Sequence, residues 1–210
     1  MAEYKLTYFN LMGRAEGIRM IFALAGKEYE DERIEREQWP AMKETTPFGG
    51  VPVLTVKGKG VLAQSAAIQR YLGREFGFAG KDNWETGQVD MLCEGIGDLF
   101  VNEPKILLHF REQEPAKKEE FFNELLEGYL GKFLERYENF LKSNPAKSGY
   151  FVGDETTLAD INIFMILNFY ALNHSTKYLG QYANLNKLYE TIENVPRMKE
   201  WLEKRPKTPY

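Results

Sequence analysis

One cysteine, Cys93, and two histidines, His109 and His174, are the only thiol and imidazole groups in a chain of 210 residues. No disulfide can form within the chain and there is no C-x-x-C pair, which excludes a disulfide-stapled module and a dithiol redox centre. With no Cys or His cluster, a structural zinc site is not expected. Positive charge is not in surplus either. Lys and Arg number 27 against 31 Asp and Glu, a net charge of −4. A partner built on a phosphate backbone would call for the opposite balance, so nucleic acid is not expected. Long apolar runs are missing: the richest stretch, "INIFMILNFYAL" at 161–172, is far short of the roughly 20 residues that cross a bilayer. The opening "MAEYKLTYFN" has no apolar leader core. These absences predict a cytoplasmic protein that acts on small molecules rather than on membranes or nucleic acids. No repeat or low-complexity segment is present.

What the chain does contain falls into two regimes, changing at "GFAGKDNWE", residues 77–85. The expected domains are residues 1–80, where strand and helix signals mix, and 81–210, where helical periodicity dominates. "YKLTYF" (4–9) places Tyr4, Leu6 and Tyr8 on one face, the period of a strand. Ile18, Ile21, Phe22 and Ala25 follow helical spacing, predicting a helix over 14–25 that Gly26 stops. The charged "YEDERI" (29–34) reads as an edge strand. "VPVLTV" (51–56) and "GVLA" (60–63) flank "KGKG" as a hairpin. Ser65 is expected to cap a helix carrying Ile68, Tyr71, Leu72 and Phe76.

In the second regime Val89, Leu92, Cys93, Ile96 and Phe100 form one helical stripe, which Pro104 should kink or end. Phe122, Leu125, Leu126, Tyr129, Phe133, Tyr137, Phe140 and Leu141 predict a second, long one. The helix over 161–172 is apolar nearly all round and belongs at a bundle centre. Thr157 and Asp160 have capping-box spacing at its start. Shorter helices are expected around 185–192 and 198–202.

Four features of the first regime carry chemistry. Tyr8 ends the first strand, and ligands of open α/β sheets collect beyond strand carboxyl ends. The next helix aims its free amides at the same place. Pro52 just inside a strand cannot donate to the ladder, so it marks an edge or a cis bond. Gln64 and Ser65, at a helix start, could cradle a carboxylate or phosphate. Trp39 and Lys43, four apart, share a face of a helical turn and offer an indole N–H and an ammonium. Each has an ordinary reading: a core tyrosine, an edge proline, a plain N-cap, a solvated turn. Taken together they describe one ligand, an extended peptide-like molecule with carboxylates at its ends and an ionisable group in the middle.

The motifs "YKLTYFN", "GRAEGIR", "WPAMK", "PFGGVPVL", "QSAAIQRYL" and "GYFVGDETTLADI" resemble the cytosolic glutathione S-transferases, specifically the sigma class and its nematode-type relatives. The resemblance spans essentially the whole chain. It implies an α/β thioredoxin-like N-terminal domain, a cis peptide bond at Pro52, an all-α C-terminal domain, and a homodimer with its active site at the subunit boundary. It implies glutathione as cosubstrate and a detoxifying conjugation to small hydrophobic electrophiles. Tyr8 would donate its hydroxyl to the glutathione sulfur, and Arg14 would support it electrostatically. Trp39 and Lys43 would hold the glycyl carboxylate. The Gly50–Val51–Pro52 stretch would present Val51's backbone to the cysteinyl amide. Gln64 and Ser65 would bind the γ-glutamyl end, which Asp98 of the second subunit would also reach. For the electrophile the expected residues are Phe9, Met12, Gly13, Ile106 and Tyr210.

Sigma-class prostaglandin synthases carry a pocket tryptophan where this chain has "NEPKILLHF". Gly95 and Gly97 interrupt the carboxylates Glu94 and Asp98, and no metal is expected. The same thiolate could serve an isomerase or peroxidase, and related chains serve as carriers or structural proteins. Cys93, on an apolar stripe, is expected to be buried rather than catalytic.

Overall fold

The computed structural model describes residues 2–103 and 105–208, apart from the side chain of Leu107. Pro104, with its expected kink, and Tyr210 lie outside these residues. One compact unit runs up to Phe78 and resumes at Val195; the second spans Ala79–Asn194.

The first unit is built on a four-stranded sheet of order β2-β1-β3-β4, from β1 (Tyr4–Phe9), β2 (Glu30–Ile34), β3 (Val53–Val56) and β4 (Gly60–Ala63). β1 pairs parallel with β2 and antiparallel with β3, which pairs antiparallel with β4. Helix α1 (Glu16–Ala25) follows a single 3-10 turn, Gly13–Ala15. It buries Ile18, Ile21 and Phe22 completely. Gly26 stops it at φ +62°, where a Cβ would be strained. Helix α2 (Trp39–Met42) is one turn, and α3 (Ser65–Phe76) buries Ile68 and Leu72. The final helix, α10 (Pro196–Lys204), packs on α1.

Two expectations are corrected here. β3 is an interior strand, so Pro52 does not mark an edge; it precedes the strand, and the Val51–Pro52 bond is cis, the other reading of that proline. Ser65 is not a cap: it is the first residue of α3, Gln64 stands at the cap position, and no side chain makes a capping bond there.

The second unit is helical. It comprises α4 (Asn83–Asn102), α5 (Lys105–Arg111), α6 (Pro115–Glu127), α7 (Tyr129–Ser143), α8 (Leu158–His174) and α9 (Ala183–Glu193). The long stripe from Phe122 to Leu141 is two helices, broken at Gly128. The break leaves the apolar face in phase, so periodicity alone reads it as one. A Cβ on Gly131 would sit 2.0 Å from the Leu126 carbonyl oxygen, so only glycine allows α7 to start so close to the end of α6. α8 is buried throughout its first thirteen residues, as its composition requires. Its start is tied by Asp160, whose carboxylate accepts from the Phe151 and Thr157 amides and the Thr157 hydroxyl. Burial pushes that carboxyl up to about 6, against the pull of these bonds.

Candidate active site

Sheet register decides which residues can meet. Thr7 pairs with Val53, and Val53 with Ala63. One residue further on, Tyr8, Pro52 and Gln64 therefore line up across the same end of the sheet. Neighbouring strands lie about 4.8 Å apart, so this row spans roughly 10 Å. The 3-10 turn leading to α1 and the first turn of α3 open at the same end.

Tyr8 stands at the β1 end of the row. Its ring is buried, at 7% exposure. Its hydroxyl oxygen accepts the backbone N–H of Arg14 at 3.2 Å. No described residue takes the phenolic proton, so the hydroxyl remains a donor. Gly13 makes this geometry possible: at φ +42° it passes so close that a Cβ would lie 2.7 Å from the Tyr8 oxygen. The Arg14 side chain is exposed. Its shown contact with Tyr8 is the amide, not the guanidinium.

On one flank an aromatic line runs outward, from Tyr8 to Phe9 (ring centres 5.8 Å apart) and from Phe9 to Trp39 (5.6 Å), both edge-on. Trp39 and Lys43 share the α2 turn, where the Lys43 amide donates to the Trp39 carbonyl. The Lys43 stem passes Gly49, whose Cβ would lie 3.4 Å from Cε. That links the lysine to the Gly50–Val51–Pro52 segment. On the other flank Gln64 sits at φ +72°, a conformation costing a non-glycine residue about 1–3 kcal/mol. Its carbonyl accepts the Ile68 amide at 3.0 Å. The amides of the turn between have no carbonyl partner inside α3. Ser65, half-buried, stands among these donors.

The first unit thus gathers Tyr8, the Arg14 amide, Trp39, Lys43, Gly50–Pro52, Gln64 and Ser65 at one sheet end. The other expected residues are placed differently. Asp98 is exposed on α4 of the second unit, and Ile106 is fully buried in α5. A fully buried side chain presents no wall to a ligand, so Ile106 is core within its own unit. Met12 is buried too, which leaves Phe9 and Gly13 as the partly exposed members of the expected electrophile set among the described residues. A depression of about 180 Å³ is lined by Phe9, Asn10, Leu11, Ile34, Glu35, Arg36 and Glu37, a mixed apolar and charged set.

Sequence reasoning missed what lies behind Tyr8. Arg19 is fully buried, its guanidinium carbon 5.9 Å from the centre of the Tyr8 ring. It is paired with Asp31 at 3.1 Å and with Glu16 at 3.5 Å. Glu16, fully buried as well, accepts from Trp201 and Arg205 of the C-terminal segment at 3.0 and 2.9 Å. The available signal was a Glu and an Arg three apart in a helix whose other residues, "EGIRMIFALA", are apolar or glycine.

Comparison with known proteins matches both parts of the chain to one family. The glutathione S-transferase N-terminal domain model matches residues 4–74, and the corresponding C-terminal domain model matches residues 101–205. Glutathione S-transferase 1 of Ascaris suum is 43% identical, with all of both chains covered. Hematopoietic prostaglandin D synthase of Gallus gallus is 38% identical over 99% of each chain. A crystal structure of a monomeric glutathione S-transferase from the hookworm Necator americanus superimposes with a TM-score of 0.87 at 39% identity, covering 99% of this chain and 100% of that one.

Proposed function

The chain belongs to the glutathione S-transferase family, and we propose that it is a sigma-class member that holds glutathione across the end of its sheet and activates the thiol through Tyr8. The observation that carries this is the Tyr8 hydroxyl, whose oxygen is occupied by the Arg14 amide while its proton has no acceptor among the described residues. A free thiol ionises at about 8.5 and is mostly protonated near neutral pH. A hydrogen bond donated to sulfur favours the thiolate, and about 1.4 kcal/mol of such preference raises the ratio of thiolate to thiol tenfold. The enzyme then needs no nucleophile of its own, because the cosubstrate brings it.

The remaining groups suit the rest of the tripeptide. Three extended residues reach roughly 10 Å, the width of the Tyr8–Pro52–Gln64 row. Lys43 and Trp39 would take the glycyl carboxylate. Val51, beside Pro52, would offer its backbone to the cysteinyl residue. The α3 amides, Gln64 and Ser65 would take the γ-glutamyl carboxylate, with positive charge gathered at the helix start. Phe9 and Gly13 would face the electrophile, a small hydrophobic molecule whose conjugation serves detoxification in the cytoplasm.

A homodimer fits the same reading. Trp84 and Met91 are 75% and 55% exposed on α4. With Asp98 they recur every seven residues, the spacing of a helix seam. Asp98 of the partner subunit would then meet the γ-glutamyl ammonium.

The test is Tyr8→Phe, which removes the donor and keeps the ring. Glutathione affinity should persist, while conjugation of an aryl halide falls about 10- to 100-fold, the range of a charge-assisted hydrogen bond. Near-wild-type turnover would refute the role given to Tyr8.

A further inference from the structure

We propose that Arg19 is a positioning residue for the Tyr8 hydroxyl, an inference that rests on the thiol-activating role of Tyr8. Its Nη1 donates to the carbonyls of Leu11 at 2.8 Å and Met12 at 3.4 Å. These are the two residues before Gly13 and Arg14, and the Arg14 amide is the group that Tyr8 accepts. One planar guanidinium therefore grips the loop at two consecutive carbonyls, immediately ahead of a glycine at φ +42° and the amide that fills the phenol's acceptor position. Nε, held at 3.1 Å by Asp31, anchors the fork to β2. Glu16 ties it to Trp201 and Arg205. Arg33 completes the cluster, donating to Asp31 at 2.8 Å.

Stability is a poor explanation for this cluster. Replacing a buried ion network by apolar side chains is often neutral or favourable. Arg19 Nη2 is buried without a hydrogen-bond partner, so the network gains less stability than its ion pairs alone suggest. The cluster is geometrically specific instead. It fixes the amide that occupies the Tyr8 oxygen, so that the phenolic proton is left to point outward. Three guanidiniums, of Arg19, Arg33 and Arg205, gather about the two carboxylates of Glu16 and Asp31.

The test measures kcat/KM for aryl halide conjugation against pH in the full-length protein, with the KM for glutathione and the thermal midpoint alongside. Arg19→Lys keeps the charge but loses the fork. Asp31→Asn loosens the fork's anchor while leaving Arg19 in place, and each variant that folds decides by itself. Glu138→Gln, a buried carboxylate of the second unit, controls for destabilisation alone. In the wild type the limb of the profile that reports the bound thiol should lie below the pKa of free glutathione. Arg19→Lys should displace that limb upward by about 0.5–1 on the pH axis, a three- to tenfold loss on the acidic side that closes at high pH. The KM for glutathione should change less than about twofold. Asp31→Asn should move the limb in the same direction by less, and Glu138→Gln should lower the thermal midpoint and leave the limb in place. A limb unmoved in the folded variants, or a loss equal at every pH, overturns the proposal. A wild type that is inert, or indifferent to Tyr8→Phe, refutes the underlying reading instead.

Discussion

Gly13→Ala tests the contact on which the site turns. The new methyl would sit 2.7 Å from the Tyr8 oxygen, 3.1 Å from its Cε1 and 2.6 Å from Leu11 Cδ1. Real Cβ contacts are ordinarily 3.4 Å or longer, so the phenol has to retreat by more than half an ångström. It has little room, because its ring is buried against Arg19 and Phe9. Backbone strain from a left-handed alanine costs about 1–2 kcal/mol, and overpacking adds about 1–3 kcal/mol. For a chain of this size, a total near 3 kcal/mol lowers the thermal midpoint by roughly 6–12 °C. The functional loss comes from aim: a displacement approaching 1 Å at the reacting groups costs up to about a hundredfold in rate. Gly77→Ala isolates the strain, since Gly77 has φ +83° and nothing within 4 Å of a new Cβ. Assayed with glutathione and an aryl halide, Gly13→Ala should lose about 10- to 100-fold in kcat, whereas Gly77→Ala should lose only stability. Equal kinetics in the two variants, or a Gly13→Ala enzyme as active as wild type, would show that the Gly13–Tyr8 approach does not set the phenol's position.

Three further outcomes follow from named groups. Lys43→Ala should raise the KM for glutathione about tenfold with kcat little changed, since an interaction made equally in ground and transition states is lost; a fall in kcat at constant KM would contradict this. Gln64→Gly should bind glutathione more weakly, yet its thermal midpoint should not show the usual drop of a glycine substitution, because relief of the φ +72° strain offsets the added freedom of the unfolded chain. A midpoint lowered by several degrees would argue against that strain. His109, fully buried in α5 and 2.7 Å from His174, is held down to about 3, by burial first and then by His174 and Lys118. Its folded value lies below its unfolded one, so its contribution is full above about 6.5 and is lost as pH falls toward 3, on the order of 2–3 kcal/mol by pH 4.5. Urea unfolding of His109→Phe should show a flatter decline between pH 7 and 4.5; an unchanged slope would assign the acid sensitivity elsewhere.

Elements with strong periodicity and clear punctuation were readable from the chain. β1 alternates, α1 ends at Gly26, and α8 is apolar on every side, so local pattern and final burial agree. The failures have specific causes. The α6–α7 break keeps the apolar stripe in phase, and its requirement for glycine at 131 arises from a carbonyl that only the folded chain places there. Pro52 allowed two readings because the order of strands, which made β3 interior, is not a property of any single segment. Ser65 looked like a cap because small hydroxyl residues are the commonest caps; here the helix begins at Ser65 itself and the cap position falls one residue earlier, on a strained glutamine.

The site was legible in a different way from the fold. Tyr8, Trp39, Lys43, Gln64 and Ser65 were found as donors looking for an acceptor, and the register explains how residues up to 57 positions apart in sequence share one sheet end. Arg19 was not found, because a charged residue inside an apolar helix has no meaning until its partners are known. Those partners come from the preceding loop, the helix itself and a strand of the sheet, and one of them, Glu16, reaches in turn to the far end of the chain. Only the fold brings them together. A left-handed Gly13, a left-handed Gln64 and a buried guanidinium with an unpaired nitrogen all lie at or behind one end of the sheet. Features that cost free energy persist where the surrounding structure over-determines them, and here each one fixes a donor that the proposed ligand requires. If they served packing alone, substituting them would change stability in proportion to activity; if they serve aim, Gln64→Gly and Arg19→Lys should separate the two.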